Sequence, residues 1–187
     1  MNHFYHYVIS AKSVTKRRQA QIERFAKWGM QPQFFDAIMG NQLSEEELDK
    51  LSATEGLLTL GEIGCALSHL GVYQKLLDSQ EKCVYVFEGD AKMTDEFIKL
   101  QPKIQQFMEE QSEPTVLVLC TIIGHKKSIR KISPDVSIMK CLAGISAYAY
   151  VLNRKAAENL LKAQMPVKIE LDAWAIYQKL GFIRLYC

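Results

Sequence analysis

The chain has 187 residues, 48% of them apolar and 24% charged. That is the composition of a folded domain, not of a disordered or collagen-like chain, and the length suffices to bury a core without disulfide or metal staples. Lys and Arg number 23 against 21 Asp and Glu, a net charge of +2, which lacks the basic excess of a dedicated nucleic-acid binder.

Residues 5–10 (YHYVIS) form a short β-rich run, and residues 15–28 read as a helix with Ile22, Phe25 and Ala26 on its apolar side and Gly29 closing it. A second strand is expected at residues 33–38. Ser44 with Glu47, and Thr59 with Glu62, each have the spacing of a capping box, which starts a short helix and then a longer one. Ile63, Leu67, Leu70, Leu76 and Leu77 give the longer helix its buried face to about Ser79. CVYVF (residues 83–87) is a continuous apolar run, expected as a strand buried on both faces of a parallel sheet. Thr94 caps a helix to about Glu110, residues 115–120 form the next buried strand, and residues 136–140 and 146–152 two more. GHKKSIR (residues 124–130) reads as a basic loop. Asn153 caps a helix to about Lys162, a last helix runs from about Leu171 to Leu180 and ends at Gly181, and FIRLYC reads as a final strand. Strands alternating with helices predict a single α/β domain with a mostly parallel central sheet flanked by helices.

No apolar stretch reaches the roughly 18 residues that span a bilayer, and MNHFYHYVIS has no basic-then-apolar signal pattern. The five cysteines lack any C-x-x-C pair and read as reduced, buried thiols without a metal role. A cytoplasmic protein is expected.

The chemistry concentrates in FEGDA, where Glu88 and Asp90 stand two residues apart at a strand end. If strand geometry continues through them, both carboxylates leave one face with Cα atoms roughly 7 Å apart. Two such oxygen donors beyond a strand's carboxyl end suit Mn²⁺ or Mg²⁺ bridging to a diphosphate; a solvated strand end is the alternative. Gly61 and Gly64 weaken a helix, which either brings its N-terminus close to a phosphate or allows tight helix–sheet packing. Lys126 and Lys127 offer charge to an anionic acceptor. His3 and His6 are expected to be incidental.

Several segments together resemble glycosyltransferase family 25, the bacterial lipopolysaccharide glycosyltransferases related to collagen galactosyltransferases. VIS followed by KRR resembles the family's V-I-N/S-L opening and Arg-Arg pair, and FFDAIMG its segment ending A-V-D-G. LTLGEIGCALSHL matches L-T-x-G-E-I-G-C-x-x-S-H, the most specific signature, and VFEGDA falls where the family carries L-E-D-D-A. AGISAYAYVLNRKAAENLL is similar to G-T/S-x-A-Y-L-I-S-R-K-G-A-E-x-L-L, and the stretch ending L-D-A-W to P-x-D-x-W.

The resemblance implies a GT-A-type fold, with a nucleotide-sugar half at about residues 1–122 and a shortened acceptor half at about residues 123–187. It implies inverting transfer of a hexose, galactose or glucose, from a UDP-sugar to lipopolysaccharide or another surface glycan, with peripheral association at the inner membrane. Asp90 is then the direct ligand of Mn²⁺ (or Mg²⁺), supported by Glu88. Ser10, Arg17, Arg18, Gly61, Glu62, Ser68 and His69 would hold the nucleotide sugar. Asp172 would be the general base, and Trp174 would stack on the acceptor, with Lys126 and Lys127 also on the acceptor; an acid at a helix N-terminus and a core aromatic are the alternatives for Asp172 and Trp174. Gly89 stands where the family has the middle Asp of E-D-D, Met39 where it has the Asp of A-V-D-G, and the chain ends soon after Trp174. These departures imply the alternative, a catalytically weak or inactive relative serving as a binding module.

Overall fold

The computed structural model describes residues 4–54, 56–120, 122–144 and 146–187; His3 lies outside the described residues. The elements follow in the order β1 (His6–Ser10), α1 (Thr15–Ala26), β2 (Phe34–Asp36), a 3₁₀ turn (Gly40–Gln42), α2 (Glu45–Leu51), α3 (Leu60–Leu77), β3 (Cys83–Glu88), α4 (Asp95–Glu109), β4 (Thr115–Val118), β5 (Ile122–Lys131), β6 (Ser137–Gly144), β7 (Ala149–Asn153), α5 (Arg154–Gln164), α6 (Trp174–Lys179) and β8 (Arg184–Tyr186).

Side-chain alternation along the strands sorts the core into two layers. Ile9, Val84, Val86, Val116, Tyr150 and Leu152 pack on one face with α3, α5 and α6. Val8, Tyr85, Phe87, Leu117 and Val151 pack on the other, against Phe25 of α1 and Ile104, Phe107 and Met108 of α4. The result is a helix–sheet–helix sandwich. On α1 the buried residues are Gln21 and Phe25, whereas Ile22 and Ala26 are exposed. The helix turns a polar amide inward at the position next to the expected one, for a reason that lies in the site below.

The eight strands form one sheet in the order β2-β1-β3-β7-β4-β8-β6-β5. The expected mostly parallel sheet is a mixed one. β1 is parallel to β2 and β3, and β4 to β8. β7 is antiparallel to both β3 and β4, and β6 to β5 and β8. An apolar run such as CVYVF reports burial on both faces, and that burial says nothing of a neighbour's direction. The basic loop expected at residues 124–130 is part of β5, an edge strand whose register with β6 is broken by shifts. Most of its side chains are exposed, and charged residues on an edge blunt pairing with other chains.

Local capping matches the sequence pattern. Ser44 with Glu47, and Thr59 with Glu62, both form complete capping boxes, Thr94 accepts from the Phe97 amide, and Asn153 accepts from that of Ala156. Helix α3 is pressed unusually close to the exit of β2. A Cβ on Gly40 would lie 1.8 Å from the Leu60 carbonyl oxygen, and one on Gly64 would lie 2.5 Å from that of Ile38. Ser68 completes the clamp, accepting from the Ile38 amide at 2.8 Å and donating to the Gly64 carbonyl at 2.6 Å. Among the described residues no helix is long and apolar enough to cross a membrane.

Candidate active site

The chain passes from β1 to β2 on one side and returns to β3 on the other. Such a switch point leaves a crevice beyond the carboxyl ends of the neighbouring strands. A cavity of about 570 Å³ lies there. Its walls are Ser10 at the end of β1, Met39 and Gly40 after β2, Gly61, Cys65 and His69 of α3, Arg17 of α1, and residues 88–90 after β3.

Glu88 and Asp90 share this cavity by a route other than strand alternation. The strand stops at Glu88, and the Ala91 amide donates back to the Glu88 carbonyl at 2.9 Å, so a turn presents both acids. Gly89 is buried in that turn, and a Cβ there would lie 3.1 Å from the Ser10 side chain. A side chain at 89 would press on Ser10 at the end of β1. The turn is held from behind by Gln21, whose amide donates to the carbonyls of Gly89 (2.9 Å) and Ala91 (2.8 Å). Tyr148 adds a bond to the Asp90 carbonyl at 2.7 Å. This explains the inward-facing amide of α1. Gln21→Ala leaves the Gly89 carbonyl without this donor and the Ala91 carbonyl with the longer bond from Arg24 at 3.3 Å, so a loss of roughly 1–3 kcal/mol is expected in urea titrations, with weaker binding of any ligand that needs the turn in place.

A second cavity, about 290 Å³, opens between Glu62, Cys65, Glu88, Ser146 and Asp172. Cys65 and Glu88 line both cavities, so these two residues separate the one from the other. Asp172 accepts from the Ser146 amide at 2.7 Å. Ser146 has φ 89°, a left-handed backbone that persists in a non-glycine residue only where its surroundings fix it. Asp172 does so from one side. Trp174 does so from the other, donating from Nε1 to the Ser146 carbonyl at 3.1 Å. A third cavity of about 500 Å³ near Phe97 and Tyr148 has no carboxylate side chain among its described lining residues.

Several expected roles change with these positions. Trp174 is 0% exposed and packs edge-on against Tyr150, so it has no open face on which a sugar could stack. Lys126 and Lys127 are exposed on β5 and line none of these three cavities. Arg18 is drawn away from the cavity by Asp36 and the Ser10 carbonyl, each at 2.5 Å, with its guanidinium over the Phe34 ring. Together with Lys12, it holds the Asp36 carboxyl below the usual carboxylate range. Glu62 spends its carboxylate on Thr59, and Ser68 its hydroxyl on the α3 clamp. Gly64 packs against main chain, whereas Gly61 faces the open cavity. His6 is buried and accepts from the Gln33 amide.

Sequence reasoning missed Gln21, Ser146, Tyr148 and Cys65. Of the cysteines, Cys83 and Cys141 are buried and Cys65 is exposed. Although the residue is exposed, its sulfur lies against neighbouring groups, and that partial burial, with the negative charge of Glu88, Asp172 and Glu62, pushes the thiol pKa up to about 11. The signature G-E-I-G-C-x-x-S-H carried the signal, since i, i+4 spacing puts Cys65 beside His69.

The donor set suits a hard divalent ion. Glu88 and Asp90 offer carboxylate oxygens at one wall of a roomy cavity, as Mn²⁺ or Mg²⁺ requires. The model of glycosyltransferase family 25 (LPS biosynthesis protein) matches residues 3–175.

The chain belongs to glycosyltransferase family 25.

Lipooligosaccharide biosynthesis protein lic2B of Haemophilus influenzae is 27% identical over 163 residues, covering 82% of this chain and 61% of that protein. Human procollagen galactosyltransferase 2 is 23% identical, covering 84% and 27%. The protein of Rattus norvegicus named probable inactive glycosyltransferase 25 family member 3 is 24% identical, covering 84% and 30%. The chain therefore spans less than two thirds of the length of each of these family 25 relatives.

Proposed function

We propose that this family 25 chain transfers a hexose, galactose or glucose, from a UDP-sugar to a lipooligosaccharide or other surface glycan at the cytoplasmic face of the membrane, with inversion at the anomeric carbon. One observation carries the reading: the acidic turn at residues 88–90 lines a cavity at the sheet's switch point, and Glu88 also lines the neighbouring cavity that holds Asp172. Glu88 and Asp90 would hold Mn²⁺ or Mg²⁺, which when bound offsets charge on the departing diphosphate. Arg17 and the N-terminal end of α3 at Gly61 draw the phosphates into the larger cavity. The acceptor hydroxyl enters from the smaller cavity. Asp172 takes its proton while the oxygen attacks the anomeric carbon opposite the breaking bond to the diphosphate.

The experiment is UDP binding by calorimetry, with and without Mn²⁺. Mn²⁺ is expected to tighten binding to the wild type at least about tenfold, in line with a metal ion bridging to phosphate, and to leave Asp90→Ala unaffected. If Mn²⁺ changes nothing and Asp90→Ala binds as the wild type does, the acidic turn is not the donor's metal site. A second reading, a relative that binds donor without turnover, is favoured by Gly89, which leaves the turn one acid short of E-D-D. Release of UDP from UDP-galactose or UDP-glucose in the presence of acceptor glycan separates the two.

A further inference from the structure

Helix α3 places Cys65 and His69 one turn apart on the side that meets the end of β3. The Cys65 sulfur, a His69 ring nitrogen and a Glu88 carboxylate oxygen all lie within 4.8 Å of one another. His69 is 1% exposed, and its Nδ1 is engaged at 2.7 Å by the Tyr150 hydroxyl, itself 2.8 Å from that of Tyr73. Its Nε2 is buried and has no hydrogen-bond partner. The Glu88 Oε1 faces it at 3.8 Å, too far for a hydrogen bond. In the tautomer whose Nδ1–H donates to Tyr150, Nε2 presents a bare lone pair to the carboxylate oxygen, and two acceptors face each other across a gap. A cation between them resolves that arrangement. Ligand atoms on one tetrahedral Zn²⁺ stand about 3.3–3.6 Å apart, from Zn–N, Zn–O and Zn–S lengths of about 2.0–2.3 Å. His69 and Glu88 are close to that spacing, and the exposed Cys65 closes the remainder by rotating its side chain.

We propose that Cys65, His69 and Glu88 form a binding site for a borderline-soft divalent ion of the Zn²⁺ class, on the two cavities that Cys65 and Glu88 line. A thiolate, an imidazole and one carboxylate make a donor set that prefers Zn²⁺ to Mn²⁺ or Mg²⁺. The neighbouring carboxylates of Asp172 and Glu62 add negative charge on the smaller-cavity side. As the sulfur–metal bond forms, the thiol proton leaves to solvent, with no change of oxidation state. The Tyr150–Tyr73 pair is the outer shell that fixes the imidazole's tautomer. Glu88 is shared with the donor reading, so Zn²⁺ here and Mn²⁺ at the acidic turn draw on one carboxylate; Zn²⁺ binding itself needs no nucleotide and is tested without one.

The test is titration of metal-free, reduced full-length chain with Zn²⁺, without nucleotide. One ion per chain is expected. Cys65→Ser should bind at least about 100-fold more weakly, since loss of outer-shell partners alone costs 10–100-fold. Asp90→Ala should bind Zn²⁺ as the wild type does, although it loses Mn²⁺-dependent UDP binding on the reading above. Co²⁺ in place of Zn²⁺ should give a thiolate-to-cobalt charge-transfer band that Cys65→Ser lacks. In the unmodified chain, Zn²⁺ should protect Cys65 from iodoacetamide, read by peptide mass. Unchanged Zn²⁺ binding in Cys65→Ser, a cobalt spectrum without the thiolate band, unprotected Cys65, or tighter binding of Mn²⁺ than of Zn²⁺ would each overturn the site.

Discussion

Asp172→Asn is expected to lower turnover by about 10²–10⁴-fold, the usual contribution of a positioned general base, with little change in stability. Asparagine keeps a side-chain oxygen for the Ser146 amide, now bonded to Asp172 at 2.7 Å, but cannot take a proton from an acceptor hydroxyl. Asp172→Ala removes both functions and leaves the left-handed Ser146 backbone without one of its two clamps, at about 1–3 kcal/mol. Steady-state kinetics beside urea titrations on the pair distinguish the roles. Should Asp172→Asn turn over normally while Asp172→Ala is slow and unstable, Asp172 is a positioning residue and the base lies elsewhere. Among the acids at the smaller cavity, Glu88 and Glu170 would then be the next to test.

Trp174→Ala is expected to cost about 3–5 kcal/mol, the range for deleting a fully buried aromatic side chain. In a chain of this length that corresponds to roughly 6–20 °C in Tm. The ring is sealed against Tyr150 at 5.1 Å and Tyr177 at 6.3 Å between centroids, and its N–H is the second clamp on Ser146. Trp174→Phe should recover most of the packing and lose only the hydrogen bond. A tryptophan that stacked on the acceptor would behave differently, raising KM while Tm stayed put. Thermal melts of the two variants decide between these behaviours.

How far the sequence could be read depended on the range of the interaction. Capping boxes at Ser44 and Thr59 were legible because both partners lie within one turn. The same holds for the glycine stops, Gly29 and Gly181, whose φ values are 68° and 81°. The order of segments also pointed to the family. Strand direction was not legible, since the burial of CVYVF is the same beside a parallel β1 and an antiparallel β7. β5 escaped because an exposed, register-shifted edge strand has no apolar alternation to detect. At the site, the acid pair was visible as spacing, but the turn presenting it depends on Gln21, 68 residues from Gly89 in the chain. Trp174 could be read as a sugar platform or as a core aromatic, because sequence cannot distinguish an aromatic ring facing a cavity from one sealed behind it.

The close contact of α3 with the exit of β2 has a consequence for how such a site can diversify. Gly40 and Gly64 bring main chain against main chain, so the spacing between α3 and the exit of β2, which both line the larger cavity, is set by backbone atoms. Met39 and Arg17 are side chains of the same cavity wall, and exchanges there would alter its width and charge while leaving that frame in place. On the proposed function, a change of donor preference would come from such side chains, whereas a larger residue at Gly40 would meet the Leu60 carbonyl and jam the frame itself.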